Sequence, residues 1–342
     1  MEDLLAALGA VDHGIIRAED LRRIGCPAAT VARLVETGAL VRVRRGVYVE
    51  SRRWDASAEE RHRIRVRAEQ AQAVGDLVFS HGSAAAVHRL PFVGRGPATV
   101  HTVDPTATGG RRGRRRSVHR AGPPPRTETV DGVTVTSLSR TLADVALAEP
   151  WSSSVPMLDA ALQRVHFGGP AGPGMVGRPG AHPAASAAVD RGAAVEALRA
   201  AVLADLAERR PMRGLRRAVA AVEFASPLAA SPGESLSRVR IQELGFRPPE
   251  LQVRIDGILG SFAEVDFLWR GIRHIGEFDG LLKYTRSREV SGTDPGSVVV
   301  REKLREDALR RQGYAVTRWE WATLRQPAVF AALLSEAGIP RA

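Results

Sequence analysis

Acidic residues inside apolar, strand-like segments are the feature that most constrains the fold of this chain. The sequence reads Ala-Glu-Val-Asp-Phe-Leu-Trp over residues 263–269 and Ile-Gly-Glu-Phe-Asp-Gly over residues 275–280. An ionised carboxylate is costly to bury, so these segments predict a compensating charge, and a divalent cation is the usual one. Side chains alternate between faces along a strand, so Glu277 and Asp279 share one face. With Asp266 on a neighbouring strand, three carboxylates converge, and Glu234 on a preceding helix is a candidate fourth.

The segments around these carboxylates predict the element order α-β-β-β-α-β within residues 231–342. The expected elements are a helix over 231–245, a hairpin of 251–255 with 262–269 across Asp256-Gly257, a strand over 272–278, a helix over 301–312 and a strand over 314–319.

This C-terminal part resembles a nuclease family, the one that contains the very-short-patch repair endonucleases. The resemblance covers about residues 231–325 and depends on Pro232-Gly-Glu-Ser, Val265-Asp-Phe, Gly276-Glu-Phe-Asp-Gly, Lys283-Tyr and Gly313-Tyr-Ala-Val-Thr-Arg-Trp. It implies a restriction-endonuclease-like PD-(D/E)xK fold that cleaves phosphodiester bonds with Mg²⁺ or Mn²⁺.

Matched residue by residue, Asp266 takes the aspartate of the nuclease pattern and Glu277 takes its next acidic position. The chain departs from the pattern at Asp279, which stands where the family has Lys. Lys283, four residues on, is the candidate replacement. The candidate metal ligands are therefore Asp266, Glu277 and Asp279, and the candidate catalytic residues are these three with Lys283 and Glu234.

Residues 1–50 predict a winged helix-turn-helix. Residues 15–21 indicate a helix that ends at Gly25, residues 30–37 a second helix that ends at Gly38, and residues 40–49 a basic hairpin that turns at Gly46. In this fold the second helix enters the major groove of DNA. Basic residues on an exposed hairpin also serve to block strand pairing, which is the alternative interpretation. The candidate DNA contacts are Thr30, Arg33, Arg42, Arg44 and Arg45.

The same region resembles the N-terminal domain of AbiEi-type antitoxins. The resemblance depends on Leu34-Val-Glu-Thr-Gly-Ala-Leu and Arg44-Arg-Gly-Val-Tyr-Val, and it extends to about residue 150 through Ser80-His and residues 136–144. It implies DNA binding, autoregulation and a cognate toxin as partner. Because winged-helix operators are often palindromic, a homodimer is an expected state.

Between these two regions the sequence predicts a mixed α/β middle domain over residues 51–150 and a helical connector over 151–230. The connector includes a Gly-, Pro- and Ala-rich stretch, residues 167–192, which predicts a flexible insertion. The middle domain includes five arginines in six positions, Arg111–Arg116, in a Gly-flanked loop. Binding of phosphate and a mobile charged loop are equally compatible with this tract.

Charge and cysteine usage limit the class of protein. The 342 residues include 49 Lys and Arg against 38 Asp and Glu, a net charge of +11. This excess favours polyanion partners, although an Arg-rich composition is also typical of GC-rich genomes. Cys26 is the only cysteine, so an intrachain disulfide is impossible. With neither a signal peptide nor an apolar run near the roughly 18 residues of a membrane span, the sequence predicts a cytoplasmic protein.

Three functions remain open from the sequence. The first is a DNA-directed, metal-dependent endonuclease in defence or mobile-element biology. The second is an antitoxin-like transcriptional repressor of a type IV toxin–antitoxin system with a degenerate nuclease fold. The third is RNA processing by a toxin.

Overall fold

The computed structural model describes residues 13–120, 124–168, 185–209, 212–280 and 295–342. The fold is mixed α/β, as predicted, and the described strands form three sheets. The chain divides into two compact units. The first consists of Met1–Glu149 and Ala200–Ala220, and the second of Pro150–Arg199 and Ala221–Ala342.

The first unit begins with a small sheet against a pair of helices. Helices α1 (Ala18–Arg23) and α2 (Ala28–Glu36) are followed by strands β2 (Leu40–Arg44) and β3 (Val47–Glu50), and the short strand β1 (Ile16–Arg17) completes the sheet in the order β1-β3-β2. This arrangement is compatible with the predicted winged helix, in which β2 and β3 form the wing. Their turn includes Gly46 with a φ of 71°, a left-handed conformation that favours glycine.

The prediction that residues 15–21 are helical is wrong at its start. Ile16 pairs with Tyr48 of β3, and both Ile15 and Ile16 are buried. The β-branched side chains pack into the sheet, so the helix begins only at Ala18.

The rest of the first unit is a six-stranded sheet with helices. The elements are α3 (Ser51–Trp54), α4 (Ala58–Gln70), β4 (Val78–Phe79), α5 (His81–Val87), β5 (Val100–Asp104), β6 (Arg111–Arg112), β7 (Arg116–Arg120), β8 (Thr127–Val130), β9 (Val133–Thr136) and α6 (Leu138–Ala148). The strands follow the order β6-β7-β5-β4-β9-β8. The loop predicted at Arg111–Arg116 is confined to residues 113–115, and the prediction is wrong at both ends of the tract, because Arg111 and Arg112 pair with β7 and Arg116 pairs with β5.

Three helices form the connecting region: α7 (Trp151–Phe167), α8 (Ala185–Ala207) and α9 (Leu215–Phe224). Helix α8 begins at Ala185, so the predicted flexible insertion over 167–192 is wrong at its C-terminal end, where small residues with high helix propensity continue the helix. The Gly- and Pro-rich part of that prediction, residues 169–184, lies outside the described residues.

The second unit contains the predicted α-β-β-β-α-β order. The elements are α10 (Pro232–Glu243), β10 (Glu250–Ile258), β11 (Ser261–Trp269), β12 (His274–Phe278), α11 (Pro295–Arg311), β13 (Ala315–Trp319), α12 (Trp321–Leu324) and α13 (Pro327–Glu336). Strands β10, β11 and β12 are antiparallel, and β13 runs parallel to β12. Helix α10 lies against one face of this sheet at Phe278, and α11 lies against the other face at Ile275.

The β10–β11 hairpin turns later than the sequence predicted. The turn residues are Leu259 and Gly260, with φ angles of 49° and 77°. Two consecutive residues with positive φ match the twist of a tight hairpin. The predicted turn at Asp256-Gly257 is instead a bulge, because the strand register shifts between Asp256 and Ile258.

Two glycines allow close packing around β12. A Cβ atom on Gly233 of α10 would lie 1.9 Å from Cε1 of Phe278, and one on Gly276 would lie 2.4 Å from Cη2 of Trp319. Both distances are far below van der Waals contact, so helix α10 and the Trp319 ring reach the strand only because these positions lack a side chain.

None of the helices within the described ranges is both long enough and apolar enough to cross a membrane.

Candidate nucleic-acid interface and carboxylate cluster

Helix α2 exposes Arg33 and Glu36, together with several alanines, to solvent. Val31 is buried and Leu34 packs beside it in the small core of this region, which fixes the inner face of the helix. Arg33 is exposed and Thr30 is partly exposed. Residues three apart are neighbours on a helix, so the two candidate DNA contacts lie side by side.

The wing arginines differ in their surroundings. Arg42 and Arg45 are exposed, and the Arg42 guanidinium lies 5.8 Å from the centre of the Tyr48 ring. Arg44 is half-buried and forms an ion pair with Glu69 of helix α4. Arg42 and Arg45 can therefore reach a phosphate, whereas Arg44 is engaged within the protein.

The second unit brings Asp266 and Glu277 together on neighbouring strands. Phe267 of β11 pairs with Gly276 of β12, so one step along this antiparallel register places Asp266 opposite Glu277. Oδ2 of Asp266 accepts the backbone N–H of Phe278 at 2.9 Å. The predicted proximity of these two carboxylates agrees with this register.

Two arginines occupy the surroundings of Glu277. Arg305 of α11 lies 2.7 Å from Oε1, and Arg318 of β13 lies 3.0 Å from Oε2. Burial raises the pKa of Glu277, although Arg305 and Arg318 act in the opposite direction. Each oxygen of the carboxylate thus faces a permanent positive charge.

The same arginines continue into a wider ion-pair network on helix α11. Glu302 lies 2.7 Å from Arg305 and 2.9 Å from Arg318, and Glu306 lies 3.1 Å from Arg318. We call Glu277, Glu302, Glu306, Arg305 and Arg318 the ion-pair network. Two guanidinium groups shared by three carboxylates hold α11 against the strands β12 and β13.

The other candidate nuclease residues lie in different settings. Asp279 is partly exposed, and its Oδ2 lies 3.8 Å from Arg318. Glu234 is buried and accepts hydrogen bonds from Ser231 Oγ, the backbone N–H of Ala230 and Nε2 of Gln252, each at 2.8 Å. Ser231 Oγ in turn accepts the N–H of Glu234, so Glu234 takes part in a reciprocal cap of α10. Lys283 lies outside the described residues.

This donor set does not fit a divalent cation in its present arrangement. A hard cation prefers carboxylate oxygens without competing cations, and Arg cannot give up its proton to make room. Among the residues that the structure describes, no group of three or more His, Cys, Asp and Glu side chains could hold a metal ion. Metal binding at Asp266, Glu277 and Asp279 stays a prediction, and it would require Arg305 and Arg318 to move away from Glu277.

Sequence reasoning missed the ion-pair network. Arg305 and Arg318 come from a helix and a strand whose contact with Glu277 is long-range, so neither hydrophobic pattern nor motif spacing indicates it. One local signal was available, because Glu302 and Arg305 are three residues apart on a helix, a spacing typical of ion pairs.

A histidine cluster in the first unit was also missed. His101 Nδ1 and His119 Nε2 are 2.8 Å apart, and the rings of His81 and His119 stack with centres 3.8 Å apart. Asp144 lies beside His81 and is paired with Arg209 at 2.7 Å. Burial lowers the pKa of His81 to about 3 and that of His101 to about 4. His81 and His101 are therefore neutral at pH 7. The histidines come from separate segments of the sequence, so only the fold brings them together.

Comparison with known families supports the N-terminal part of the predicted resemblance. Residues 5–51 match a family model described as "Transcriptional regulator, AbiEi antitoxin". The matched segment contains the helix-turn-helix and the wing. No curated protein matches the chain. The resemblance of residues 231–325 to nucleases stays a prediction.

Proposed function

We propose that this chain is a DNA-binding transcriptional regulator of the antitoxin type, and that its N-terminal winged helix binds operator DNA. The observation that carries the proposal is the family match over residues 5–51, in a segment whose described part contains a helix-turn-helix and a basic wing. In the proposed complex, α2 enters the major groove with Thr30 and Arg33, and Arg42 and Arg45 of the wing contact the backbone.

The charge of the chain supports the same proposal. The net charge of +11 attracts a polyanion, and Arg suits bidentate contacts with phosphate and with guanine. Arg33 is the candidate for base recognition because it is exposed on α2. The wing arginines supply contacts that are independent of base sequence.

We further propose that the regulator acts with a cognate toxin and binds a palindromic operator as a homodimer. A two-fold symmetric operator requires two winged helices in symmetric positions. Co-expression with the product of a neighbouring toxin gene tests the first point, and light scattering of the DNA complex tests the second.

The experiment for the main proposal is selection of binding sites from random duplexes by the purified full chain, followed by footprinting upstream of its own gene. We expect an enriched, two-fold symmetric motif and a protected site containing it. Recovery of no motif above background would contradict the proposal.

Metal-dependent phosphodiester hydrolysis is the second candidate function. One observation favours it: Asp266 lies opposite Glu277 on adjacent strands, within the α-β-β-β-α-β order. The guanidinium groups of Arg305 and Arg318 oppose it, because they already neutralise Glu277. If the chain is a hydrolase, the ion-pair network must rearrange so that Arg305 and Arg318 leave Glu277 before a metal binds.

A cleavage assay separates the two candidates. Wild type and Asp266→Ala are incubated with plasmid, single-stranded DNA and RNA in Mg²⁺ or Mn²⁺. Cleavage that is lost in Asp266→Ala would support the hydrolase. If no substrate is cut, and if calorimetric titration with either metal gives no heat that depends on the carboxylates, the hydrolase candidate is excluded and only the regulator function remains.

A further inference from the structure

Residues 111–116, here called the arginine hairpin, form a structured element in the same compact unit as the winged helix. Arg111 and Arg112 form β6, and Arg116 begins β7. The Gly113 N–H donates to the Arg116 carbonyl at 2.9 Å, and the Val100 N–H of β5 donates to the Arg115 carbonyl at 2.8 Å. These bonds hold the arginines in a defined place on the sheet.

The outer arginines of this hairpin face solvent, and the charge of Arg111 acts at longer range on Asp104, whose pKa is lowered mainly by its hydrogen bonds with Thr106 and slightly by Arg111. Arg111, Arg112, Arg114 and Arg115 are exposed, and none of them forms a salt bridge with a carboxylate of the described residues. Four like charges in five positions repel one another, so the hairpin favours a polyanion as partner. Protection of the sheet edge would explain Arg111 and Arg112 on the edge strand β6. It does not explain Arg114 and Arg115, which lie in the turn.

A buried carboxylate joins the arginine hairpin to the wing. Oε2 of Glu69 pairs with Arg44 of β2, and Oε1 of the same side chain lies 3.4 Å from Nη1 of Arg116. The wing turn is attached to the same region, because Gln72 Nε2 donates to the carbonyl of Arg45. Since one carboxylate pairs with an arginine of each hairpin, the arginine hairpin lies next to the wing.

We infer that the arginine hairpin binds backbone phosphates of duplex DNA that flanks the base pairs contacted by the winged helix. This inference rests on the proposed regulator function and extends its footprint beyond residues 13–51. Arginine forks match phosphate geometry, and each phosphate that is neutralised releases counterions. The hairpin contributes affinity and not sequence preference, because backbone contacts carry no base information.

The test measures the salt dependence of operator binding by the full chain. Fluorescence anisotropy gives the association constant over a series of NaCl concentrations for wild type, Arg114→Ala/Arg115→Ala and Arg114→Lys/Arg115→Lys. The control is Arg311→Ala/Arg325→Ala, which removes the same charge from exposed positions of the second unit. Two lost phosphate contacts are expected to make the slope of log K against log [NaCl] less steep by about 2.

We expect the Ala pair to flatten the slope, the Lys pair to restore it, and the control to behave as wild type. Shortening the duplex to the selected motif should abolish the difference between wild type and the Ala pair. Operator binding with the same slope in wild type and the Ala pair would overturn this inference alone. If the wild type binds no duplex, the proposed function fails, and this inference fails with it. If the wild type binds a duplex RNA more tightly than duplex DNA, the inference that DNA is the partner of the arginine hairpin is overturned.

Discussion

At the scale of single residues, Glu277 shows how burial and charge decide between a structural and a catalytic role. Its side chain is buried, with one guanidinium on each oxygen. Such a carboxylate stabilises the sheet by pairing, and its removal leaves two positive charges without their central partner.

We predict that Glu277→Ala lowers the free energy of unfolding of the second unit by roughly 2 kcal/mol. The value is below the roughly 3–5 kcal/mol of a fully buried pair, because Arg305 and Arg318 keep partial contact with water. Asp279→Ala, which removes a more exposed carboxylate, should change stability by less than about 1 kcal/mol. Urea unfolding followed by tryptophan fluorescence measures both variants. Equal effects of the two substitutions would show that the ion-pair network does not stabilise the unit.

The buried histidines of the first unit predict a loss of stability in acid. Burial lowers the pKa of His62 and of His81 to about 3. In the unfolded chain a histidine titrates at about 6.5, so between these values the unfolded state binds the proton and the folded state does not. The free energy of unfolding therefore falls as the pH drops below about 6.5, by about 1.4 kcal/mol per pH unit for each such histidine.

The measurement is urea unfolding, followed by circular dichroism, at several pH values between 7 and 5. His62→Gln keeps a polar side chain near Ser83 Oγ, to which His62 Nε2 is hydrogen bonded at 2.8 Å, but does not titrate in this range. Its stability should fall less steeply with decreasing pH than that of wild type. A slope equal to that of wild type would show that protonation of His62 does not cause the loss of stability in acid.

At the scale of elements, the four-stranded sheet of the second unit and the helices α10 and α11 followed from sequence patterns, whereas the C-terminal helices α12 and α13 were not predicted. The helix ending near Gly245 and the strands around Val265 and Ile275 are indicated by local apolar patterns and by glycine positions. The hairpin turn was misplaced because Asp-Gly is a strong local turn signal, and the bulge that it forms depends on pairing across β10 and β11. The register of β11 and β12 agrees with the expected proximity of Asp266 and Glu277, but the arginines on Glu277 depend on long-range packing of α11 and β13.

The contact between helix α10 and strand β12 gives an element-scale prediction. Gly233→Ala would place a methyl group within 1.9 Å of the Phe278 ring, so the helix must move away from the strand. We expect a loss of about 1–3 kcal/mol, the range typical of overpacked cores. Thermal unfolding measures it, with Gly271→Ala as the matched control, since a Cβ atom there meets no atom within 4 Å. A control as unstable as the Gly233 variant would contradict the packing argument.

At the scale of the whole molecule, the chain combines a winged-helix region with a mixed β-sheet unit that has a nuclease-like order of elements. The family match and the exposed charges support DNA binding by the winged-helix region. The guanidinium groups at Glu277 disfavour metal binding in the mixed β-sheet unit. The sequence motif that suggested a nuclease included Arg318, but its role as a counter-ion of Glu277 became visible only from the parallel pairing of β12 with β13. DNA binding by the winged helix is therefore the function that we propose for the chain.

The proposed DNA binding is tested most directly by the ratio of specific to non-specific DNA affinity for wild type and Arg33→Ala. Fluorescence anisotropy at one fixed salt concentration measures the full chain on a selected operator and on a scrambled duplex, with Arg325→Ala as the control. We predict that Arg33→Ala weakens operator binding by about 1–3 kcal/mol and leaves scrambled-duplex binding nearly unchanged, while the control behaves as wild type. Equal affinity of the wild type for both duplexes, or an operator affinity that Arg33→Ala does not alter, would contradict sequence-specific DNA binding through α2.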